Sequence, residues 1–162
     1  KKLFMLIVAG FFLASCAATK TEQGGDVDAA SASSSSSSGG EITAGTQEDL
    51  IVNVGDRVFF EFDSSELTVD AQATLDAQAA WLMQYPDTNI TVEGHADERG
   101  TREYNLALGD KRAFSVYSYL AQAGIDTNRM EYVSWGKERP EVIGSDETAY
   151  SQNRRGVTLV SN

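Results

Sequence analysis

Two oppositely charged side chains in one short stretch could together bind a small zwitterion. Asp97 lies in a loop just after a strand-like run at 89–93, and Arg112 lies in the helical pattern that follows the turn at 98–100. A carboxylate accepts hydrogen bonds from an ammonium group, and a planar guanidinium donates two parallel ones to a carboxylate. We therefore predict that Asp97 and Arg112 converge on one crevice for a ligand that carries both charges.

A long amphipathic helix is the element that must position Arg112. At about 100° per residue, one face of this helix collects small and apolar residues, namely Leu106, Gly109, Ala113, Val116, Tyr117 and Leu120. The same geometry places Asn105 and Arg112, two turns apart, on the edge of that face. Asn105 also lies beside the turn that enters the helix, where we expect it to tie down the loop.

An ordinary ion pair on the domain surface is the alternative interpretation of Asp97 and Arg112. Such pairs typically contribute about 0–1 kcal/mol to stability. The two residues by themselves favour this alternative, so a ligand site needs support from the rest of the chain.

Catalysis is a further function class that this stretch raises, because Glu93, His95, Asp97 and Glu98 lie close together. A zinc site needs three or four ligands, usually several His or Cys, whereas the chain has one of each. Paired carboxylates could in principle cleave a glycan, but Glu93 and His95 share the alternation of the strand. No nucleophile elbow or phosphate loop is present. The sequence predicts neither catalysis nor a metal.

An excess of acidic residues argues against nucleic acid as a partner. The 162 residues carry a formal charge of −11, and because two lysines are the only charged residues before Cys16, the remainder carries −13. No basic patch is available to neutralise phosphates or to hold the chain electrostatically on an anionic membrane. Solubility is the simplest role of this charge.

Residues 1–15 have the pattern of a lipoprotein signal peptide. Two lysines precede an apolar run at 3–14, which is too short to cross a hydrocarbon core of about 30 Å as a helix. The run ends in Leu13-Ala14-Ser15-Cys16, which resembles a bacterial lipobox. We predict acylation of Cys16, with each buried CH₂ contributing about 0.8 kcal/mol of membrane affinity. Ala17, rather than Asp, follows the cysteine, which in the familiar enterobacterial sorting pattern implies the outer membrane. The alternative is an ordinary secretory signal with a chance cysteine.

Residues 16–47 are predicted to form a flexible tether. The segment is rich in Ser, Gly and Ala and contains an unbroken serine run at 33–38, so it cannot bury enough apolar surface to offset the entropy of ordering. Thirty or so such residues span roughly 30 Å on average and about 100 Å when extended. The folded domain is then predicted at 48–162.

The pattern of residues 48–162 predicts an α+β domain with the order β-α-β-α-β-(α)-β. Apolar runs predict the strands, at 50–54 with 57–62, 90–93, 130–135 and 156–160. Thr68 as N-cap and Pro86 as terminator bound the first main helix, and Gly124 is the C′ residue of the second. A short helix is predicted at 149–154. We expect the two main helices on one face of a mixed sheet.

Four motifs resemble those of the OmpA-like peptidoglycan-binding domain family and occur in its order between about Asp49 and Asn162. They are Phe60-Glu61-Phe62-Asp63-Ser64-Ser65, Gly94-His95-Ala96-Asp97-Glu98-Arg99-Gly100, Trp135-Gly136-Lys137-Glu138-Arg139-Pro140 and Asn153-Arg154-Arg155. Gly109 departs from the broader family, which often has Ser there, and resembles the lipoprotein branch. The lipobox and the serine-rich tether fit the same branch.

The resemblance implies a ligand, the free end of the diaminopimelate side chain in the peptidoglycan stem peptide. An ammonium and a carboxylate share one carbon there. Asp97 would accept from the ammonium and Arg112 would bind the carboxylate, while Asp63 resembles a further contact of the family. The remaining predicted site residues are Phe62, Ala96 and Leu108, through backbone groups, and Asn105.

The resemblance further implies a non-catalytic outer-membrane lipoprotein whose periplasmic domain holds peptidoglycan. Its expected partners are peptidoglycan, TolB and the other components of the Tol–Pal system, with a role in envelope integrity and in constriction at cell division. No cofactor is implied apart from the covalent lipid on Cys16. The alternative is another OmpA-like wall-binding lipoprotein outside that system. A transmembrane motor stator subunit is disfavoured because the N-terminal apolar run ends in a lipobox.

Overall fold

A four-stranded sheet with helices against it organises residues 42–161, the part of the chain that the computed structural model describes. The predicted signal peptide at 1–15, Cys16 and the tether up to residue 41 lie outside this part. In chain order the elements are α1 (Gln47–Asn53), β1 (Arg57–Phe59), α2 (Val69–Gln84), β2 (Ile90–His95), α3 (Arg102–Gln122), β3 (Met130–Gly136), α4 (Glu147–Asn153) and β4 (Arg155–Val160). A 3₁₀ turn, Thr127–Arg129, precedes β3.

The sheet is mixed, as predicted, and has the strand order β1-β4-β2-β3. β2 and β3 run parallel, because α3 carries the chain back between them, whereas β4 runs antiparallel to both β1 and β2. β2 is therefore an inner strand. Its last residue, His95, opens directly into the loop that carries Asp97.

α2 and α3 supply most of the core that covers the sheet. The Thr68 hydroxyl caps α2 by accepting the N–H of Ala71 at 3.1 Å. The C-cap of α2 is Tyr85, directly before the predicted terminator, and α3 ends before Gly124, whose φ of +102° is the left-handed conformation of a C′ glycine. The predicted inner face of α2 is buried throughout, at Ala71, Leu75, Ala79 and Leu82. Burying each Leu contributes about 1.5–3 kcal/mol.

The face that α3 turns to the sheet differs from the prediction, so its polar site residues are buried. Asn105 and Arg112 lie on the inner face rather than on its edge, and Leu106 is instead 45% exposed. The cause is a close approach at Gly109, where an added Cβ would press on the carbonyl oxygen of Gly94 in β2. Helix and strand touch through their backbones here, a contact that side-chain periodicity alone does not reveal.

The strand predicted at 50–54 is wrong, because α1 occupies this segment. Thr46 caps the helix by accepting the N–H of Asp49 at 3.4 Å, and acidic residues in the first turn interact favourably with the helix dipole. Leu50 is buried in the core, whereas the β-branched Ile51 and Val52 are exposed. The cap and the dipole outweigh the β-propensity of an exposed run.

β1 is shorter than predicted, three residues rather than a strand over 57–62. Phe60 still donates its N–H to the carbonyl of Arg154 at 2.9 Å, but the chain turns at Asp63, whose φ is +54°. The early end of the strand leaves Phe62 and Asp63 in a loop, where they can line a site.

None of the helices within residues 42–161 has the length and apolar composition needed to cross a bilayer. The same residues contain no group of three or more His, Cys, Asp or Glu side chains that could hold a metal ion.

Candidate functional site

A crevice of about 210 Å³ opens where β2 ends and α3 begins. The structure brings all seven predicted binding residues to its wall, namely Phe62, Asp63, Ala96, Asp97, Asn105, Leu108 and Arg112. Arg99, Gly100 and Tyr104 complete the lining. The crevice is thus bounded by the loop after β1, the loop after β2 and the first turns of α3.

Arg112 forms the floor of the crevice and is fully buried, at 0% exposure. Its Nε donates to the carbonyl of Ser64 at 2.8 Å, one terminal nitrogen to that of His95 at 2.8 Å, and the other to that of Glu61 at 3.1 Å. Because each terminal nitrogen carries two hydrogens, one N–H on each remains for a ligand. Burial lowers the pKa of Arg112 to about 10, which leaves it charged at neutral pH.

Asp97 is 5% exposed and its ion-pair partners are Arg99 and Arg154, not Arg112. Its Oδ1 accepts the backbone N–H of Arg99 at 3.0 Å and the Nε–H at 3.1 Å, and its Oδ2 accepts from the guanidinium of the same residue at 2.6 Å. Burial raises the pKa of Asp97, but the bonds from Arg99 outweigh it and leave the pKa below its usual value. The alternative of a surface ion pair between Asp97 and Arg112 is therefore wrong.

Arg99 is a site residue that the sequence interpretation missed. Its guanidinium lies between the rings of Phe62 and Tyr150, 4.2 Å from each centroid, and 3.6 Å from a carboxylate oxygen of Glu147. The available signal was its position two residues after Asp97, where an Asp side chain commonly bonds a backbone N–H. That bond brings the rest of Arg99 back onto the carboxylate.

Arg154 is a buried charge directly after α4 that contacts Asp97 from behind the crevice. Its Nε donates to the carbonyl of Phe60 at 2.9 Å, and a terminal nitrogen lies 2.7 Å from Glu147 and 3.5 Å from Asp97. Asp97 therefore sits between two arginines, and α4, which carries Glu147, helps to fix their positions.

Asp63 is the exposed acidic residue of the crevice. It accepts a hydrogen bond from the hydroxyl of Tyr104 through one carboxylate oxygen. Its left-handed φ is costly for a residue other than Gly, although Asp and Asn tolerate it best. The second oxygen faces no protein donor in the described part of the chain, which makes Asp63 the more accessible of the two acids.

The uncharged residues of the crevice hold its loops in place. Asn105 donates its side-chain N–H to the carbonyl of Arg99 at 2.8 Å, which is the loop-tying role predicted for it. The backbone N–H of Ala96 bonds the carbonyl of Gly136 at 2.7 Å and is not free for a ligand. Phe62 is 60% exposed and forms a rim.

His95 lies behind the crevice rather than in it. Its ring is buried with Nε2 3.3 Å from a carboxylate oxygen of Glu93. Burial and the charge of Arg155 lower the pKa of His95 to about 4, against the opposing effect of Glu93, so the ring is neutral at neutral pH.

The crevice itself offers two carboxylates and two guanidinium groups, which suits binding of a small group that carries both charges.

The model of the OmpA family matches residues 59–154, a range that contains every predicted binding residue. The chain belongs to the OmpA family. Like the other members, this OmpA-family chain is non-catalytic, as the sequence predicted.

Several relatives within the OmpA family are named peptidoglycan-associated lipoprotein. The one from Rhizobium meliloti (strain 1021) is 56% identical over 121 residues, 75% of this chain and 69% of that protein. The one from Mesorhizobium japonicum is 45% identical over 159 residues, 98% of this chain and 91% of that protein. The crystal structure of the peptidoglycan-associated lipoprotein from Burkholderia pseudomallei matches with a TM-score of 0.64 at 43% identity, covering 65% of this chain and 90% of that one.

Proposed function

We propose that this domain binds peptidoglycan without cleaving it, and that its crevice takes the zwitterionic end of a diaminopimelate side chain. The observation that carries the proposal is the floor of the crevice, where Arg112 keeps one unused N–H on each terminal nitrogen. Two such donors in one plane suit a carboxylate. The relatives named peptidoglycan-associated lipoprotein suggest the class of ligand.

The acidic side of the crevice would bind the ammonium of the same ligand. Asp63 offers an exposed carboxylate at the rim, and Asp97 offers a buried one beside Arg112. A ligand with ammonium and carboxylate on one carbon can contact both kinds of group at once. The small volume of the crevice, about 210 Å³, restricts it to the end of a side chain rather than to a whole stem peptide.

We further propose that the lipid on Cys16 anchors the chain in the outer membrane and that the domain reaches the wall from there through the tether. The similarity to the Mesorhizobium japonicum lipoprotein supports this, because its match includes 98% of the chain and so extends well before the described domain. The proposed partners are peptidoglycan together with TolB and the other Tol–Pal components, in envelope integrity and constriction at cell division. A wall-binding lipoprotein outside that system is the alternative.

Sedimentation with purified peptidoglycan sacculi tests the binding proposal. The domain should deplete from solution with walls that contain diaminopimelate, and it should release no soluble muropeptides. Asp63→Asn removes the exposed negative charge while keeping a residue that tolerates a left-handed φ, so we expect weaker depletion of a folded variant. Walls that carry lysine in place of diaminopimelate keep the ammonium but lack the carboxylate, and should bind less well. Equal binding to both wall types would contradict the proposal.

A further inference from the structure

The side chain of Arg99 already binds the carboxylate of Asp97, the residue proposed to accept the ammonium of the ligand. A carboxylate has about four acceptor positions. In Asp97, Oδ1 accepts two N–H groups of Arg99, and Oδ2 accepts one more at 2.6 Å and has Arg154 3.5 Å away. Arg99 thus fills three of the four acceptor positions, and the fourth, on Oδ2, faces the guanidinium of Arg154, so an incoming ammonium binds well only when Arg99 withdraws from at least one oxygen.

The side chain of Arg99 is placed so that it can withdraw. It is 34% exposed, whereas Arg112 and Arg154 are buried. The guanidinium of Arg99 can slide between the flanking rings of Phe62 and Tyr150 and keep its cation–π contacts with them. Glu147 lies 3.6 Å from the opposite edge of the guanidinium and offers a second counter-ion. Release from Asp97 would thus leave Arg99 stacked and paired.

We infer that Arg99 sets the ligand specificity of the crevice by holding the ammonium position on Asp97 until a better ligand displaces it. This inference rests on the proposed function. Displacement exchanges one cation for another on the same carboxylate, so it brings little net electrostatic gain. The gain must come from the second charge of the ligand, a carboxylate that takes the two unused N–H groups of Arg112. A lone ammonium is excluded because it has nothing to offer Arg112.

Arg99→Met is the variant that tests this inference. Methionine keeps an unbranched stem between the two rings but removes the cation from Asp97, which still has Arg154 nearby. Binding of wild type and variant is measured on sacculi with diaminopimelate and on sacculi with lysine. We expect the variant to bind lysine walls more tightly and diaminopimelate walls at least as tightly, so that the preference falls by about tenfold.

A matched control is available three residues away. Arg102 is an exposed arginine that pairs with Glu138 at 3.0 Å outside the crevice, so Arg102→Met removes the same charge without touching Asp97. It should leave the preference between walls unchanged. A raised pKa of Asp97 in Arg99→Met, measured by carboxyl-carbon NMR, would support the ion pair in solution, and a cooperative thermal transition would show that the variant is folded.

Three results would overturn the inference. An unchanged preference between walls would show that Arg99 does not select, and weaker binding of the folded variant to diaminopimelate walls would make Arg99 a direct ligand contact instead. An unchanged pKa of Asp97 in the variant would mean that the two residues do not pair in solution. A wild-type domain that binds neither wall would overturn the proposed function as well, which distinguishes that failure from the other three.

Discussion

At the scale of single residues, Arg112 both supports the fold and presents its charge to the crevice. It is the largest of the fully buried side chains in the described part of the chain. Burying a charge is tolerated only when it is well hydrogen-bonded, and each nitrogen of Arg112 donates to a backbone carbonyl, two of them in the loop after β1 and one at the end of β2. Those bonds fix that loop against the end of β2 around the crevice. We therefore expect substitutions of Arg112 to affect stability and binding together.

Arg112→Ala should destabilise the domain by about 2–5 kcal/mol, because three buried carbonyls lose their donor. Arg112→Lys keeps the charge, but a lysine cannot reach all three carbonyls or present a planar pair of N–H groups. It should therefore weaken sacculus binding by more than about tenfold. Urea unfolding and sedimentation measure the two effects. Lys111→Ala, at an exposed neighbouring position, is the control. Unfolding of Arg112→Ala at the wild-type urea concentration would contradict this prediction.

His95 should make the stability of the domain depend on mildly acidic pH. Its pKa is about 4 in the folded state and near 6.5 when unfolded, so the unfolded chain binds a proton first as the pH falls. Stability should therefore decrease between about pH 6.5 and pH 4, by on the order of 3 kcal/mol at most, and this contribution should level off below that range. Glu93, Arg139 and Arg155 surround the ring and set the size of the effect.

Comparison with His95→Gln isolates the contribution of the histidine. Whatever its absolute stability, the variant should lose the part of the pH dependence that lies between pH 6.5 and pH 4, measured by urea unfolding across that range. A variant with the same slope as wild type would show that another group titrates there.

The residues that carry charge at the site were predictable from the sequence only in part. Asp97 and Arg112 were found because a loop and a helix follow one another, and a local argument is enough for that. Arg99 was missed because its role depends on the rings of Phe62 and Tyr150, which come from distant parts of the chain. The burial of Arg112 was missed for the same reason, since its acceptors lie in the loop after β1 and at the end of β2.

At the scale of elements, the contact between α3 and β2 sets the position of the crevice. A Cβ added at Gly94 would overlap the carbonyl oxygen of Gly109 and lie 2.9 Å from the nitrogen of Ala113. Both atoms belong to the backbone of a rigid helix and cannot move aside without shifting all of α3. Because Arg112 follows Gly109 by less than one turn, such a shift would displace it from its three carbonyls.

Gly94→Ala should consequently destabilise the domain by several kcal/mol and reduce sacculus binding in the fraction that remains folded. Overpacking of a close contact typically costs about 1–3 kcal/mol, and occasionally more where the backbone must move. Thermal unfolding and sedimentation provide the measurements. The control is Gly39→Ala, in the part of the chain predicted to be tether, which should change neither property. A Gly94→Ala domain as stable as wild type would contradict the close approach.

The main helices were more predictable than the strands and the first segment. α2 has its cap, its inner face and its terminator in the sequence itself, and each is where local chemistry places it. α1 was mistaken for a strand because its β-branched residues suggested a sheet, while the Thr46 cap that decides the matter is a single side chain. β1 ends at Phe59 and the chain turns at Asp63, whose left-handed φ cannot be predicted from the run of aromatic residues before it.

At the scale of the whole molecule, the proposed lipid on Cys16 would determine where the domain works. Cys16→Ser removes the thiol that would be acylated, so the protein should move from the membrane fraction to the soluble fraction while the domain still binds sacculi. Cell fractionation and intact-mass measurement test this expectation. Ser34→Thr, in the serine run of the predicted tether, is a conservative control that leaves the lipobox intact. Unchanged membrane association of Cys16→Ser, with unchanged mass, would contradict lipidation.

β4 joins the two places at which the domain would be pulled. At one end of this inner strand, the side chain of Gln47 accepts the N–H of Val160 at 2.6 Å and donates to the carbonyl of Thr158 at 3.3 Å, close to where the described chain enters. Just before its other end, Arg154 contacts Asp97 in the crevice. Tension arriving from the N-terminal side would therefore run along β4, about 20 Å of strand. The hydrogen bonds of β4 to β1 and β2 lie across that direction. They would be loaded all at once as β4 is pulled along its axis, rather than breaking one after another.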